Sequence, residues 1–226
     1  ICALERIRLT DPVLSTGERI SIGLWVGQGA TPNSVADAQD ALKDIKQKKD
    51  PNKGNPVQLT RCPWCGQGLT VENYRVMPNP DRLIVACGNP DCDFGSELPV
   101  MLVDEDVYRE RPTLLIGTVD KFAMMAWNEN VQAIFSSDGR GDRPDLIVQD
   151  ELHLIAGPLG TMVGLYETAV DAAATGAARP KLVASTATIR RAQEQIKAVF
   201  ARESFQFPPP GLDPSDSFFA IESTPE

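Results

Sequence analysis

From about residue 112 onward, short apolar runs alternate with stretches of helical periodicity, and this alternation constrains the fold more than any other feature. Thr113–Gly117, Asp145–Gln149 and Lys181–Ser185 are runs of strand length rich in Leu, Ile and Val. Between the first two, Val119–Trp127 puts Phe122 and Ala126 on one helical face. Leu159–Thr175 carries Met162, Leu165 and Ala169 in register, and Arg190–Arg202 carries Ile196, Val199 and Phe200. Strands that alternate with helices imply parallel pairing, because each helix returns the chain to the same end of the sheet. The expected fold class is therefore α/β, a parallel sheet flanked by helices.

The Asp145–Gln149 run leads directly into Asp150, Glu151, Leu152 and His153, and His153 is the single histidine of the chain. A strand that ends in two carboxylates places both at the carboxyl edge of a sheet, where ligands bind in open α/β folds. Phosphoryl transfer needs a carboxylate to hold Mg²⁺ and a polar group to orient the attacking water. Asp150 and Glu151 suit those two tasks; the plainer alternative is an acidic surface turn. A second strand with a polar end, Lys181–Thr188, supplies Ser185, Thr186 and Thr188. Their hydroxyls can bond the carboxylates, or Thr188 can simply cap the next helix.

The N-terminal part reads as a helix over Ala3–Leu9, a buried strand over Ile20–Val26, and a helix over Asn33–Lys49. That last helix has Val35, Ala38, Leu42 and Ile45 on one face and Asn33 or Ser34 as N-cap. Two prolines and a glycine within Asp50–Pro56 end it. Residues 57–101 then change character. Short β-like pieces (Tyr74–Met77, Arg82–Ala86, Leu98–Leu102) alternate with Cys-Pro, Gly and Asn-Pro turns. Four of the five cysteines fall here, as Cys62 with Cys65 and Cys87 with Cys92. Two close pairs in tight turns are the pattern of a four-thiolate zinc site, and so small a segment needs such a staple to fold. The second pair is wider than Cys-x₂-Cys. Two disulfides or an iron–sulfur cluster are the alternatives. Cys2 reads as a spectator thiol. Trp64, between two ligands, either packs over the knuckle or stacks on a base.

Composition narrows the function. The net charge is −9 over 226 residues, so the surface as a whole is not built to neutralise phosphates. A basic run, Lys43, Lys46, Lys48, Lys49 and Lys53, reads as a solvated face. No apolar stretch approaches the roughly 20 residues of a membrane span.

The Asp150–His153 stretch followed by Thr186-Ala187-Thr188 resembles motifs II and III of superfamily 2 DExH-box helicases. In that family the third motif reads Ser-Ala-Thr, so Thr186 departs from it. The resemblance implies a RecA-like, P-loop NTPase-type domain. Asp150 would organise the Mg²⁺ shell of ATP, Glu151 would act as general base, and His153 would couple nucleotide to the second motor domain. Ser185, Thr186 and Thr188 would form the coupling motif. Gly117–Phe122 resembles motif Ib, with Gly117, Thr118 and Lys121 as candidates for nucleic-acid contact at a helix N-terminus. No Gly-x₄-Gly-Lys-Ser/Thr loop is found: Gly27-Gln-Gly29 has no lysine after it, and Gly117 with Lys121 has the wrong spacing. That loop is expected before Ile1 and the second motor domain after Glu226, so the RecA-like domain is expected to be truncated at its N-terminus and inactive by itself.

Asp150–Gly160, Ser185–Arg190 and Phe207–Gly211 together resemble large prokaryotic helicases of the DrmA type, from DISARM-class defence against phage. The expected organisation is residues 1–56 and 103–205 as the RecA-like domain, 57–102 as a zinc-ribbon-like insertion, and 206–226 as a linker. The resemblance implies a cytoplasmic ATP-dependent DNA helicase or translocase with Mg²⁺-ATP, structural Zn²⁺, nucleic acid and other defence subunits as partners, and no membrane. A rival reading is a zinc-dependent nucleic-acid-binding module with a non-hydrolysing motor remnant. A third is a motor that translocates on duplex without separating strands.

Overall fold

The computed structural model describes residues 1–136, 142–154, 157–186 and 192–207. It divides into two compact units, residues 1–146 with 172–181, and residues 147–171 with 182–226. Apart from one antiparallel hairpin, the described strands run parallel and are flanked by helices, as the alternation predicts.

In the first unit, helix α1 (Cys2–Thr10) leads to strand β1 (Ile22–Trp25), the middle of a three-stranded parallel sheet in the order β4-β1-β5. Strand β4 is Val100–Met101 and β5 is Leu114–Gly117. Ile22 stands opposite both Val100 and Leu114. The buried Glu5 ties α1 down, since its carboxylate accepts from Arg8 and from the Ile20 N–H at 2.8 Å. Trp25 is fully buried, touches Phe122 edge-on at 5.0 Å, and donates its indole N–H to the Tyr108 hydroxyl at 2.9 Å. That partner is what a buried indole requires. Tyr108 lies on helix α3 (Asp104–Glu110). Gly23 permits the close approach of this region, because a Cβ there would sit 2.6 Å from the Pro112 ring.

Helix α2 (Val35–Lys46) is capped by Ser34, which accepts the Asp37 N–H at 3.1 Å. It is shorter than the periodicity predicts, because Lys48 turns left-handed at φ 59°. Its buried face, Val35, Ala38 and Leu42, shares one core with Leu69, Tyr74, Leu83, Val85, Phe94 and Leu98 of the cysteine-bearing segment. Each of the Val, Leu and Phe side chains contributes roughly 1.5–3 kcal/mol by leaving water. That segment is built on an antiparallel hairpin of β2 (Tyr74–Met77) and β3 (Arg82–Val85). The third expected β piece, Leu98–Leu102, serves the main sheet instead: Val100 and Met101 pair with β1.

After β5 the expected helix is split into α4 (Val119–Phe122) and a tighter 3₁₀ turn over Ala123–Ala126. A further 3₁₀ stretch, Glu129–Phe135, buries Val131 and Phe135. Strands β6 (Leu146–Gln149) and β7 (Lys181–Ala184) form a parallel pair, with Lys181 donating to the Asp145 carbonyl at 2.8 Å and Ser185 to that of Gln149 at 2.9 Å. Helix α5 (Gly157–Ala174) buries Val163, and α6 (Ala192–Phe200) buries Phe200. Asp171 of α5 pairs with Arg202. Helix α5 starts at Gly157, two residues before the expected Leu159. Among the described residues no helix is long and apolar enough to cross a membrane.

Candidate functional site

At the carboxyl ends of β6 and β7, four expected residues come together. Ser185 follows β7 directly, and its hydroxyl donates to Oδ1 of Asp150, the residue that follows β6. The Glu151 N–H points to the same pair, 3.0 Å from Asp150 Oδ1 and 3.3 Å from Ser185 Oγ. Leu152 donates its N–H to the Ser185 carbonyl at 2.9 Å and is buried. His153 Nδ1 lies 3.0 Å from Glu151 Oε2. Asp150 and Glu151 are both exposed at this edge. Adjacent hard carboxylate oxygens open to solvent fit Mg²⁺, which takes one or two carboxylates and keeps several waters.

Glu151 has φ 54°, a left-handed conformation that costs a non-glycine residue energy and persists only where its surroundings enforce it. The two bonds to its N–H, and the buried Leu152 beside it, are those constraints. Behind the edge, Glu167 of α5 bonds Gln149, the last residue of β6, and burial pushes its carboxyl up to about 7 while that bond opposes the rise. Neither the left-handed Glu151 nor the Glu167–Gln149 contact is announced by a residue pattern. Thr186 has partners in the fold. Thr188 lies outside the described residues.

In the first unit, Gly117 and Thr118 are exposed where β5 ends. Thr118 makes no side-chain cap, and its N–H reaches the Trp25 carbonyl at 3.3 Å. Lys121 is placed differently from a surface contact. It is 3% exposed, and its ammonium is bonded to Asp104 and, at 3.1 Å, to Asn33. The basic run on and after α2 is partly neutralised, with Lys43 on Asp40, Lys46 on Glu72 and Lys53 on Asp37.

Cys62, Cys65, Cys87 and Cys92 do converge, their Sγ atoms all within 4.8 Å of one another. Cys62 and Cys92 are 3.9 Å apart and Cys65 and Cys87 3.4 Å. Thiolates at about 2.3 Å from a tetrahedral zinc lie about 3.8 Å apart, so the cluster has the right size for a metal. All five cysteines are free thiols. Gly66 and Gly88, each just after a cluster cysteine, take φ 77° and 75°, and so turn the chain around the sulfurs. The backbone N–H of Phe94 reaches Cys92 Sγ at 3.4 Å. A hydrogen bond from the Gln67 backbone lowers the Cys65 thiol to about 7, while burial lifts Cys92 to about 12. Trp64 packs edge-on against Phe94 at 5.6 Å, over the knuckle. Cys2 packs on the neighbouring core and is not in the cluster.

The fold and these groups define an α/β protein with a carboxylate-bearing strand edge and a four-cysteine cluster able to hold a metal. The chain is 37% identical, over an alignment of 272 residues, to the DISARM protein DrmA of Bacillus paralicheniformis (strain ATCC 9945a / NCIMB 11709 / CD-2), and 98% of the chain takes part. Over that alignment the chain is similar to DrmA. It spans about a quarter of that relative's length, 24%. No family model matches it.

Proposed function

We propose that this chain is part of an ATP-dependent nucleic-acid motor, a DExH helicase or translocase acting in phage defence. The single observation that carries the proposal is the grouping of Asp150, Glu151, His153 and Ser185 at one strand edge. The likeness to DrmA supports the defence role. In this reading residues 57–102 are a zinc-ribbon-like insertion in a RecA-like domain made of residues 1–56 and 103–205, with 206–226 as linker. The protein is cytoplasmic and works with other defence subunits.

Magnesium bound with ATP would neutralise charge developing on the phosphates. The chain's own residues then divide the remaining work. Asp150, fixed by Ser185, holds the Mg²⁺ shell. Glu151 orients the attacking water and accepts its proton. His153, in contact with Glu151, passes the state of that carboxylate toward the rest of the motor. Ser185, Thr186 and Thr188 couple it to nucleic acid. Gly117 and Thr118 meet the nucleic-acid backbone. Helix α4 has only four residues, so its dipole adds little, and Lys121, committed to Asp104, holds the turn in place. Cys62, Cys65, Cys87 and Cys92 hold a structural Zn²⁺, for which the four sulfurs are suitably spaced.

Paired strand-displacement and triplex-displacement assays on the whole protein test the motor. ATP-dependent activity in both marks a helicase, and activity in the second alone marks a duplex translocase. Activity in neither, with zinc-dependent nucleic-acid binding retained, would replace the motor by a binding module.

A further inference from the structure

Helix α3 begins with three consecutive acids, Asp104, Glu105 and Asp106. Acids in a first turn usually serve their own helix dipole. Here no side chain among the described residues caps the helix, and each carboxylate reaches a different element. Asp104 holds Lys121 of α4. Glu105 accepts the Val35 N–H at 2.8 Å, the first amide of α2. Asp106 accepts the Leu83 N–H of β3 at 2.9 Å, and Arg109, paired with Asp106, donates to the Asp81 carbonyl at 3.0 Å. Asp104 and Asp106 are each 2% exposed.

Leu83 lies on the strand that leads into Cys87. The cluster end of that strand is held by Asn73, which donates to the carbonyls of Ala86 at 2.8 Å and Cys87 at 3.1 Å. The far end of the chain of contacts is equally committed. Asp104 Oδ1 has no hydrogen-bond partner among the described residues, so the buried carboxylate depends on Lys121. Removing one member of such a pair leaves an uncompensated charge inside. Contacts therefore run without a gap from Cys87 through β3, Asp106, α3 and Asp104 to Lys121, three residues from Thr118.

We infer that Asp104, Glu105 and Asp106 make the four-cysteine module a positioning element for the Thr118 turn, so that metal occupancy sets how firmly that turn is held. A metal-dependent module is a two-state element, ordered when loaded and loosened when stripped, which is what coupling between separated sites requires. The mechanical statement rests on the metal-holding role of the cysteines. Its meaning for nucleic-acid binding rests on the motor reading above.

The test is hydrogen exchange read by mass spectrometry on the whole protein, zinc-loaded and after chelation. No ATPase readout enters, so its failure is distinct from failure of the motor reading. In the unsubstituted protein, chelation speeds exchange over residues 74–87 and also, about tenfold, over 117–122. In the double variant D104N/K121M, which removes the buried charge pair as a unit, 74–87 still responds and 117–122 no longer does. A single Asp106→Leu variant interrupts the other end and gives the same loss of response. Exchange over 117–122 that ignores chelation while 74–87 loosens overturns the proposal. So does an equal response in the double variant. Exchange over 74–87 that ignores chelation removes the metal-holding premise, and the coupling falls with it.

Discussion

The Ser185 hydroxyl donates to the carboxylate of Asp150, and the same oxygen lies 3.3 Å from the Glu151 N–H. One side chain just past the strand after α5 thus meets both acidic neighbours just past the strand before it. Ser185→Ala removes the donor and leaves the backbone path of β7 intact. We expect kcat for ATP to fall about tenfold, roughly the worth of one charge-assisted hydrogen bond, with KM changed less than about twofold. An equal rise in KM with kcat unchanged would mean that Ser185 serves nucleotide binding instead.

Glu167 gives a dependence on pH. Its carboxyl titrates at about 7 in the fold against an ordinary 4.5, because burial disfavours the charged form. A raised folded value means that stability from this group is fully present below about 4.5 and is lost as pH climbs through about 7. Glu167→Gln keeps a neutral partner for Gln149 at every pH. Its melting temperature relative to the unsubstituted protein should rise between pH 5 and pH 8. A constant difference across that range would show that Glu167 does not titrate there.

Metal removal should reach beyond the cysteine segment. Phe94, Leu98, Tyr74 and Leu83 share their core with Val35, Ala38 and Leu42 of α2. Chelation, or Cys62→Ser, is expected to expose residues 57–98 to protease first and then α2, with β6 and β7 protected. One zinc per chain by elemental analysis accompanies the intact state. Unchanged digestion after complete chelation would contradict a structural metal.

The Lys121–Asp104 pair is buried on both sides, 3% and 2% exposed. Lys121→Met should destabilise the first unit by about 3–5 kcal/mol in denaturant unfolding, since Asp104 keeps its charge without a partner. Adding Asp104→Asn should recover most of that loss. A single substitution as mild as an exposed one, within about 0.5 kcal/mol, would mean that the pair opens in solution.

Much of the molecule is legible in the residues. Apolar runs before polar ends locate β1, β5, β6 and β7 to within two residues, since strand length and helix alternation are local signals. The cysteine spacing likewise anticipates the clustered thiols, because each pair is brought together by its own glycine turn. What is hidden depends on distant partners. Val100–Met101 looks like part of the insertion, and only its partner Ile22 makes it a strand of the main sheet. Lys121 looks like a surface cation beside a strand end, and only Asp104 and Asn33 explain its burial. Acids at 104–106 look like ordinary first-turn acids, because nothing local says that each will leave its helix. The left-handed backbone of Glu151 is also invisible, since part of what holds it is Ser185, just past another strand.

The central claim is that the β6 edge is an ATPase centre with Glu151 as its base. It is tested most directly by ATP turnover of the whole protein with and without single-stranded DNA, beside its Glu151→Gln variant. The account predicts turnover stimulated by DNA, reduced at least about a thousandfold by the substitution, with ATP binding intact. Turnover that survives Glu151→Gln, or no turnover in either protein with nucleic-acid binding retained, would contradict it.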